Sequence, residues 1–232
     1  MRFYAASEHA GFGLKTLNVT GRQYTDPDVL RGLTSVDRGE SIFAVDVSQL
    51  QDSIERLPWV ESAAVRRVYP DALNITLTER VAIALWQRGD SLTLIDAEGT
   101  EIKTETNLDD FTDLPIITGS DAPEHAPDLM RLIAAQPIIA ERFDSAIRVG
   151  ERRWDIRLDN GMLIKLPSED TAFALARIAE AQEKYLIFGK EILSLDARIS
   201  DKIILKTSSG AAQSLNEALK RISSEDTNSV SE

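Results

Sequence analysis

Few residues in this chain are of the types and spacings that do chemistry: Glu79-Arg80, the aspartates Asp109-Asp110 and Asp113, the two histidines His9 and His125, and the pairs Arg66-Arg67 and Arg152-Arg153. A carboxylate beside a guanidinium could form an acid–base pair. Glu79-Arg80 closes an alternating strand, however, and reads as a strand-end ion pair or a hinge. Three aspartates close together could open a calcium loop. Such a loop needs further oxygen ligands at alternating positions and a glycine at its sharp turn, and neither follows. The histidines lie in dissimilar surroundings and read as surface residues, not a shared metal site. Gly11-Phe12-Gly13 has no strand before it, so it is no phosphate loop, and the chain contains no nucleophile elbow, Walker loop or H-E-x-x-H helix. No cofactor and no metal is expected.

Composition narrows the choice further. The chain has no cysteine, which excludes disulfides, thiol catalysis and zinc–thiolate sites. Its 26 basic and 38 acidic residues leave a net charge of −12. A nucleic-acid partner would call for a basic stripe that displaces counterions, and the two arginine pairs read as solvated strand ends. No apolar run is long enough to span a bilayer, and Met1 to Ser7 lacks the apolar segment of a signal peptide. That leaves a cytoplasmic chain or a piece separated from its anchor.

The elements that would position these residues follow from periodicity. Residues 1–13 read as a flexible lead-in. Leu17 to Gly21 is a short strand and turn. Thr25-Asp26-Pro27-Asp28 opens a helix with Thr25 as its N-cap and two acids complementing the dipole. Val47, Leu50, Ile54 and Leu57 form one apolar stripe on a second helix, which Pro58 ends. Val60 to Val68 and Leu73 to Thr78 are strands around a Tyr69-Pro70-Asp71 turn, and Leu73, Ile75 and Leu77 alternate with polar residues. The order strand, helix, helix, strand, strand predicts a three-stranded sheet with both helices on one face. After Arg80 alternating segments dominate: Ile83 to Trp86, Leu92 to Asp96, Leu114 to Thr118, and a hairpin through Asn160-Gly161 in which Trp154, Ile156 and Leu158 alternate with Asp155, Arg157 and Asp159. Helices are expected over 127–136 and, capped by Ser168, through about Phe188. Leu193 to Ser200 alternates again, and the chain returns from Asp201-Lys202 as Ile203-Ile204-Leu205-Lys206. Beyond Thr207 the composition is small and polar, with a short helix over Leu215 to Ile222 and a disordered tail.

Gly21, then Leu57-Pro58-Trp59-Val60, Pro70 and Glu79-Arg80 in that order resemble the POTRA domain of the bacterial FtsQ/DivIB cell-division family. Ala84 and Trp86 match the segment that follows it, with Ala82 where the family usually has proline. Ile95-Asp96-Ala97-Glu98-Gly99 and Asp196-Ala197-Arg198 match later motifs, Ala197 being smaller than usual. The resemblance covers about Leu14 to Thr207. It implies an α+β fold: a β-α-α-β-β POTRA domain over 14–80, a β-rich domain with flanking helices over 81–207, and a polar tail over 208–232. It also implies a protein of the inner membrane, single-pass through an N-terminal anchor absent from this chain, with its bulk periplasmic at the division septum. Such a protein has no catalytic activity. It binds FtsB-like and FtsL-like proteins and other divisome components by strand addition, and helps control septal peptidoglycan synthesis. The family's binding edge maps onto Arg198, Ile199, Ile203, Ile204 and Leu205. Gly21, Pro58, Trp59, Val60, Pro70, Glu79, Arg80 and Trp86 carry the family motif and read as structural, the tryptophans through core or interdomain packing. The alternative is a POTRA-type chaperone or assembly module of outer-membrane protein biogenesis or secretion. Those proteins carry several POTRA repeats and a long barrel, which this sequence does not show.

Overall fold

The computed structural model describes residues 12–34, 41–103, 108–189 and 191–207. The helix and tail expected after Thr207, His9, and residues 1–11 of the expected lead-in lie outside the described residues. The chain divides into two compact units. The first holds residues 1–82, together with 101–106; the second holds 83–100 and 107–232.

The first unit runs β1 (Thr16–Thr20), α1 (Pro27–Thr34), α2 (Val47–Glu55), β2 (Val60–Val68) and β3 (Ala72–Glu79). Its sheet has the order β1-β3-β2, with β1 parallel and β2 antiparallel to β3. Leu73, Ile75 and Leu77 of β3, with Ala63 and Val65 of β2, pack in one cluster against Leu30 of α1 and Leu50 and Ile54 of α2. One sheet face is therefore buried under the helices, as the alternation requires. Asp46 caps α2, its carboxylate accepting the Ser48 and Gln49 N–H groups at 3.1 Å each.

Three local expectations change here. Thr25 is not the cap of α1. It is buried, and Asp26 instead accepts the Asp28 N–H at 2.7 Å. Phe12 and Gly13 are not lead-in: the Phe12 carbonyl accepts the Ile42 N–H at 2.9 Å, and its ring lies 5.6 Å from that of Phe43. Arg67 is no solvated strand end, because its guanidinium donates to the Ile42 and Val45 carbonyls at 3.1 and 2.5 Å. It clips the segment before α2 onto the sheet, while Arg66 stays exposed.

The rest of the described chain forms β4 (Ala82–Arg88), β5 (Ser91–Asp96), β6 (Glu101–Ile102), β7 (Ile116–Thr118), α3 (Ala122–Ala134), α4 (Pro137–Ala140), β8 (Phe143–Val149), β9 (Arg153–Leu158), β10 (Leu163–Lys165), α5 (Thr171–Tyr185), β11 (Ile192–Asp196) and β12 (Ile204–Thr207), whose nine strands make one sheet. The sheet order is β12-β11-β10-β9-β8-β7-β4-β5-β6. Trp154, Ile156, Ile164 and Leu195 from successive strands pack with Leu129 and Ile133 of α3, Ile139 of α4 and Leu175 and Ile178 of α5. β10 and β11 are parallel, joined by α5 crossing the sheet, and β4, β7 and β8 are parallel in turn.

Differences from expectation have local causes. α3 starts at Ala122, five residues early, because Pro123 is tolerated in its first turn. Pro127 lies inside the helix and cannot donate to the Pro123 carbonyl. A Cβ on Gly99, whose φ is +80°, would come within 2.4 Å of that oxygen, so the residue there must be glycine. The Ile95-Asp96-Ala97-Glu98-Gly99 motif is thus a turn. Asp96 is fully buried and accepts the Glu98 and Thr100 N–H groups at 3.0 and 2.7 Å. α5 begins at Thr171 after Asp170, not at Ser168. Asp155 is buried, not wet, and lies 3.3 Å from Arg153.

Gly21 ends β1 at φ +80°, and a Cβ there would sit 1.9 Å from the Leu77 carbonyl oxygen. Gly89 has φ +62° and nothing within 4 Å of the same position. Both substitutions to alanine carry the backbone cost, about 1 kcal/mol. Only Gly21→Ala adds the collision, so it is expected to cost about 3 kcal/mol in chemical denaturation, and Gly89→Ala about 1.

Candidate functional site

The family-motif residues of the first unit converge on one place. Glu79 closes β3, and its carboxylate accepts three backbone N–H groups: Gln23 at 2.7 Å, Tyr24 at 2.9 Å and Thr25 at 2.7 Å. These are the residues that lead into α1, where the chain has no ladder to satisfy it. Burial raises the Glu79 pKa, but the neighbouring Thr25 side chain and the three N–H groups outweigh it and hold the carboxyl below its ordinary 4.5. Through these bonds Glu79 fixes the turn between β1 and α1. The Arg80 N–H donates to the Trp59 carbonyl at 2.8 Å, and the Trp59 ring is buried, stacked 4.3 Å from Tyr24. Pro58 precedes it, in the turn where the Leu57 N–H still reaches the Ile54 carbonyl at 3.0 Å, and Val60 is fully buried at the start of β2. Pro70 lies in the β2–β3 turn, away from this cluster. In the second unit Trp86 is buried and donates from Nε1 to the Gly119 carbonyl at 2.9 Å. Each of these residues builds its own unit.

The other set lies at the far edge of the second sheet. β12 is terminal in the strand order, pairing only with β11 among the described residues. Backbone direction along it can be assigned. The Ala197 N–H donates to the Lys165 carbonyl at 2.9 Å, so Ala197 and Leu195 turn their polar backbone towards β10. Ser194 and Asp196 then turn theirs towards β12, opposite Lys206 and Ile204. Ile204 and Lys206 bond inward, and Leu205 between them directs its N–H and C=O away from the sheet. Side chains alternate the other way. Leu205 and Ile203 pack against the core, whereas Ile204 is 50% exposed and Ile199 46%. Arg198 grips Asp196 in a fork, Nε at 2.8 Å from Oδ1 and Nη2 at 2.6 Å from Oδ2. That pairing lowers the Asp196 pKa against the opposing effect of burial, and raises that of Arg198. The five residues assigned to the edge are thus brought together, three by exposed side chains and two by backbone and core packing.

The sequence reading missed Leu193. The alternation through Leu193, Leu195, Ala197 and Ile199 is broken by an irregularity between Ile192 and Ser194. Ile192 takes the buried place, and Leu193 stands 53% exposed beside the edge. The consecutive apolar pair Ile192-Leu193 was the only signal of it.

Among the described residues no group of three His, Cys, Asp or Glu side chains is placed to hold a metal. Asp109 and Asp110 are exposed in a 3-10 turn over Leu108–Phe111, and His125 lies 3.3 Å from Asp121 on the surface of α3. No helix among the described residues is long and apolar enough to cross a membrane.

A β-α-α-β-β unit followed by a β-rich unit with helices on one sheet face is the architecture of a POTRA domain joined to a second, sheet-forming domain. The family described as POTRA domain, FtsQ-type, matches residues 12–80, and that described as cell division protein FtsQ/DivIB, C-terminal, matches residues 84–199. The chain is 32% identical to the cell division protein FtsQ of Bradyrhizobium diazoefficiens, over 93% of this chain and 63% of that protein. It is 33% identical to the protein of the same name from Rhizobium radiobacter, over 78% of this chain and 86% of that protein. It is 31% identical to that of Caulobacter vibrioides, over 85% and 65%. The chain belongs to the FtsQ/DivIB family of cell division proteins. It spans just under two thirds of the length of the Bradyrhizobium and Caulobacter relatives.

The Glu79 cluster makes a pH-dependent prediction. A carboxylate whose folded pKa is depressed contributes its full stability above the unfolded value and loses it as pH falls through the folded one. Glu79→Gln should cost about 1 kcal/mol at pH 7, allowing for solvent screening. In urea melts the gap between the two proteins should close as pH falls below 4.5. A gap that stays constant down to pH 3 contradicts the role given to the charge.

Proposed function

We propose that this chain is the periplasmic part of a divisome scaffold, tethered through an N-terminal anchor, and that it binds FtsB-like and FtsL-like partners by adding a partner strand to β12. It works at the septum without catalysis and helps control peptidoglycan synthesis by bringing other proteins together. The observation that carries this reading is the terminal place of β12, with the Leu205 backbone directed outward and Leu193, Ile199 and Ile204 exposed around it. An edge strand offers a partner a template of unpaired N–H and C=O groups. Exposed aliphatic side chains beside it add apolar area that the incoming strand covers. The resemblance of the second unit to FtsQ/DivIB C-terminal domains favours this over an outer-membrane assembly role.

Proline scanning separates the edge from the fold, because proline removes an N–H without adding charge. Leu205→Pro deletes the outward donor; Leu205→Ala deletes the same side chain and keeps the donor. Both lose the Leu205 packing on the core, so isothermal titration with an FtsB-like periplasmic segment is read against Leu205→Ala. Leu205→Pro should lose at least about fivefold, one hydrogen bond being worth about 1 kcal/mol. Ile204→Pro should lower both the melting temperature and the affinity. Equal binding by Leu205→Pro and Leu205→Ala would place the partner elsewhere.

A further inference from the structure

The first unit has an open edge of its own. β1 pairs with β3 on one side and with no strand on the other among the described residues. The Thr16 N–H donates to the Asp71 carbonyl at 3.2 Å in the parallel register Thr16↔Ala72, so Thr16, Asn18 and Thr20 bond towards β3. Leu17 and Val19 turn their N–H and C=O away from the sheet. Beside that edge a cavity of about 610 Å³ runs between β1 and α1. Leu17, Val19 and Leu30 give it apolar walls, and Lys15, Arg22 and Arg31 stand around it. No carboxylate lines it among the described residues, in a chain whose net charge is −12. Lys15 pairs with Asp71 at 3.0 Å and Arg31 with Asp28 at 2.5 Å. These pairs are solvent-exposed and therefore weak, so an incoming anion can share or replace them. Arg22 lines the groove and donates to the Thr25 carbonyl, a neutral acceptor, at 3.0 Å.

We propose that the β1–α1 groove is a second docking site, which takes an extended acidic peptide of a partner protein as a strand added to β1. Three features select that occupant together. The outward Leu17 and Val19 backbone offers ladder bonds to an extended chain. The apolar walls accept its alternate side chains. The three cations draw carboxylates to the groove from a surface that otherwise repels them. β1 has five residues and so spans about 17 Å, which fixes the length of the paired segment at about five residues with acidic residues at its ends. The groove belongs to the first unit and β12 to the second.

The test uses the full chain and two labelled nine-residue peptides read by fluorescence anisotropy. One has a Val-Thr-Val-Thr-Val centre with two glutamates at each end; the other carries lysines in place of the glutamates. The acidic peptide should bind at least tenfold tighter than the basic one. The double variant Arg22→Glu/Arg31→Glu, altered at exposed residues only, should abolish that preference while keeping its circular dichroism spectrum. Val19→Pro should weaken binding further than Val19→Ala, which loses the same wall but keeps the N–H. Leu205→Pro should leave binding unchanged. Equal binding of the two peptides overturns the proposal, as does a preference that survives charge reversal in a folded variant. So does loss of binding in Leu205→Pro, which would put the peptide on β12. Self-association of the free chain that Val19→Pro disperses would assign the groove to a second copy and overturn it equally.

Discussion

A sheet is complete only where every backbone N–H and C=O has a partner, and among the described residues the nine-stranded sheet ends in two edge strands, β6 and β12. Between those two ends each strand is flanked on both sides, and the polar backbone is consumed in ladders. At β12 the inward half bonds to β11, and the outward half, centred on Leu205, faces away from the sheet. Neighbouring features keep that edge straight and in register. Arg198 locks the end of β11 through its fork on Asp196, and Leu205 and Ile203 hold β12 down by packing on the core. The irregularity at Ile192/Ser194 turns Leu193 out beside the edge instead of into the interior. Stability and exposure are thus assigned to different atoms of the same strand: side chains anchor it and backbone offers it. A binding strand needs this arrangement, because an edge held only by its own ladder would fray before a partner arrived.

The first unit shows what a family motif can and cannot say. Gly21, Glu79, Trp59 and Arg80 are the residues by which the chain is placed in its family, and all four serve one turn and one strand end. Glu79 replaces a missing ladder for residues 23–25, and Gly21 lets β1 pass the Leu77 carbonyl. The groove beside β1 is lined by residues outside the motif, Arg22 and Arg31 among them. The proposed docking groove thus lies next to the motif, not in it.

Elements with one wet and one dry face were legible in the sequence. β2 over Val60–Val68 begins and ends where the alternation predicts, and the stripe Leu50 and Ile54 marks the buried face of α2. The strand expected from Ile203 is β12, the last in the sheet order among the described residues. Three kinds of information were not legible. Alternation reports which face is buried but not which strand is adjacent, so the parallel pairings of β1 with β3 and of β10 with β11 could not be read. Caps depend on what else competes for a residue: Thr25 looked like a cap until Glu79 claimed its N–H. Burial of Asp155 comes from Arg153 beside it and Lys165 opposite it across the ladder, a neighbourhood assembled from different strands.

The claim on which the account turns is that the Leu205 N–H is unpaired in the free protein and paired in the complex. Amide hydrogen exchange resolved by residue reads this directly. In the free chain the Leu205 amide should exchange much faster than those of Ile204 and Lys206, which bond to β11. On saturation with an FtsB-like segment the Leu205 amide should slow to match its neighbours, with no comparable change at Leu17 or Val19. An amide at Leu205 already protected in the free chain, or one that stays fast with the partner bound, would contradict strand addition at β12.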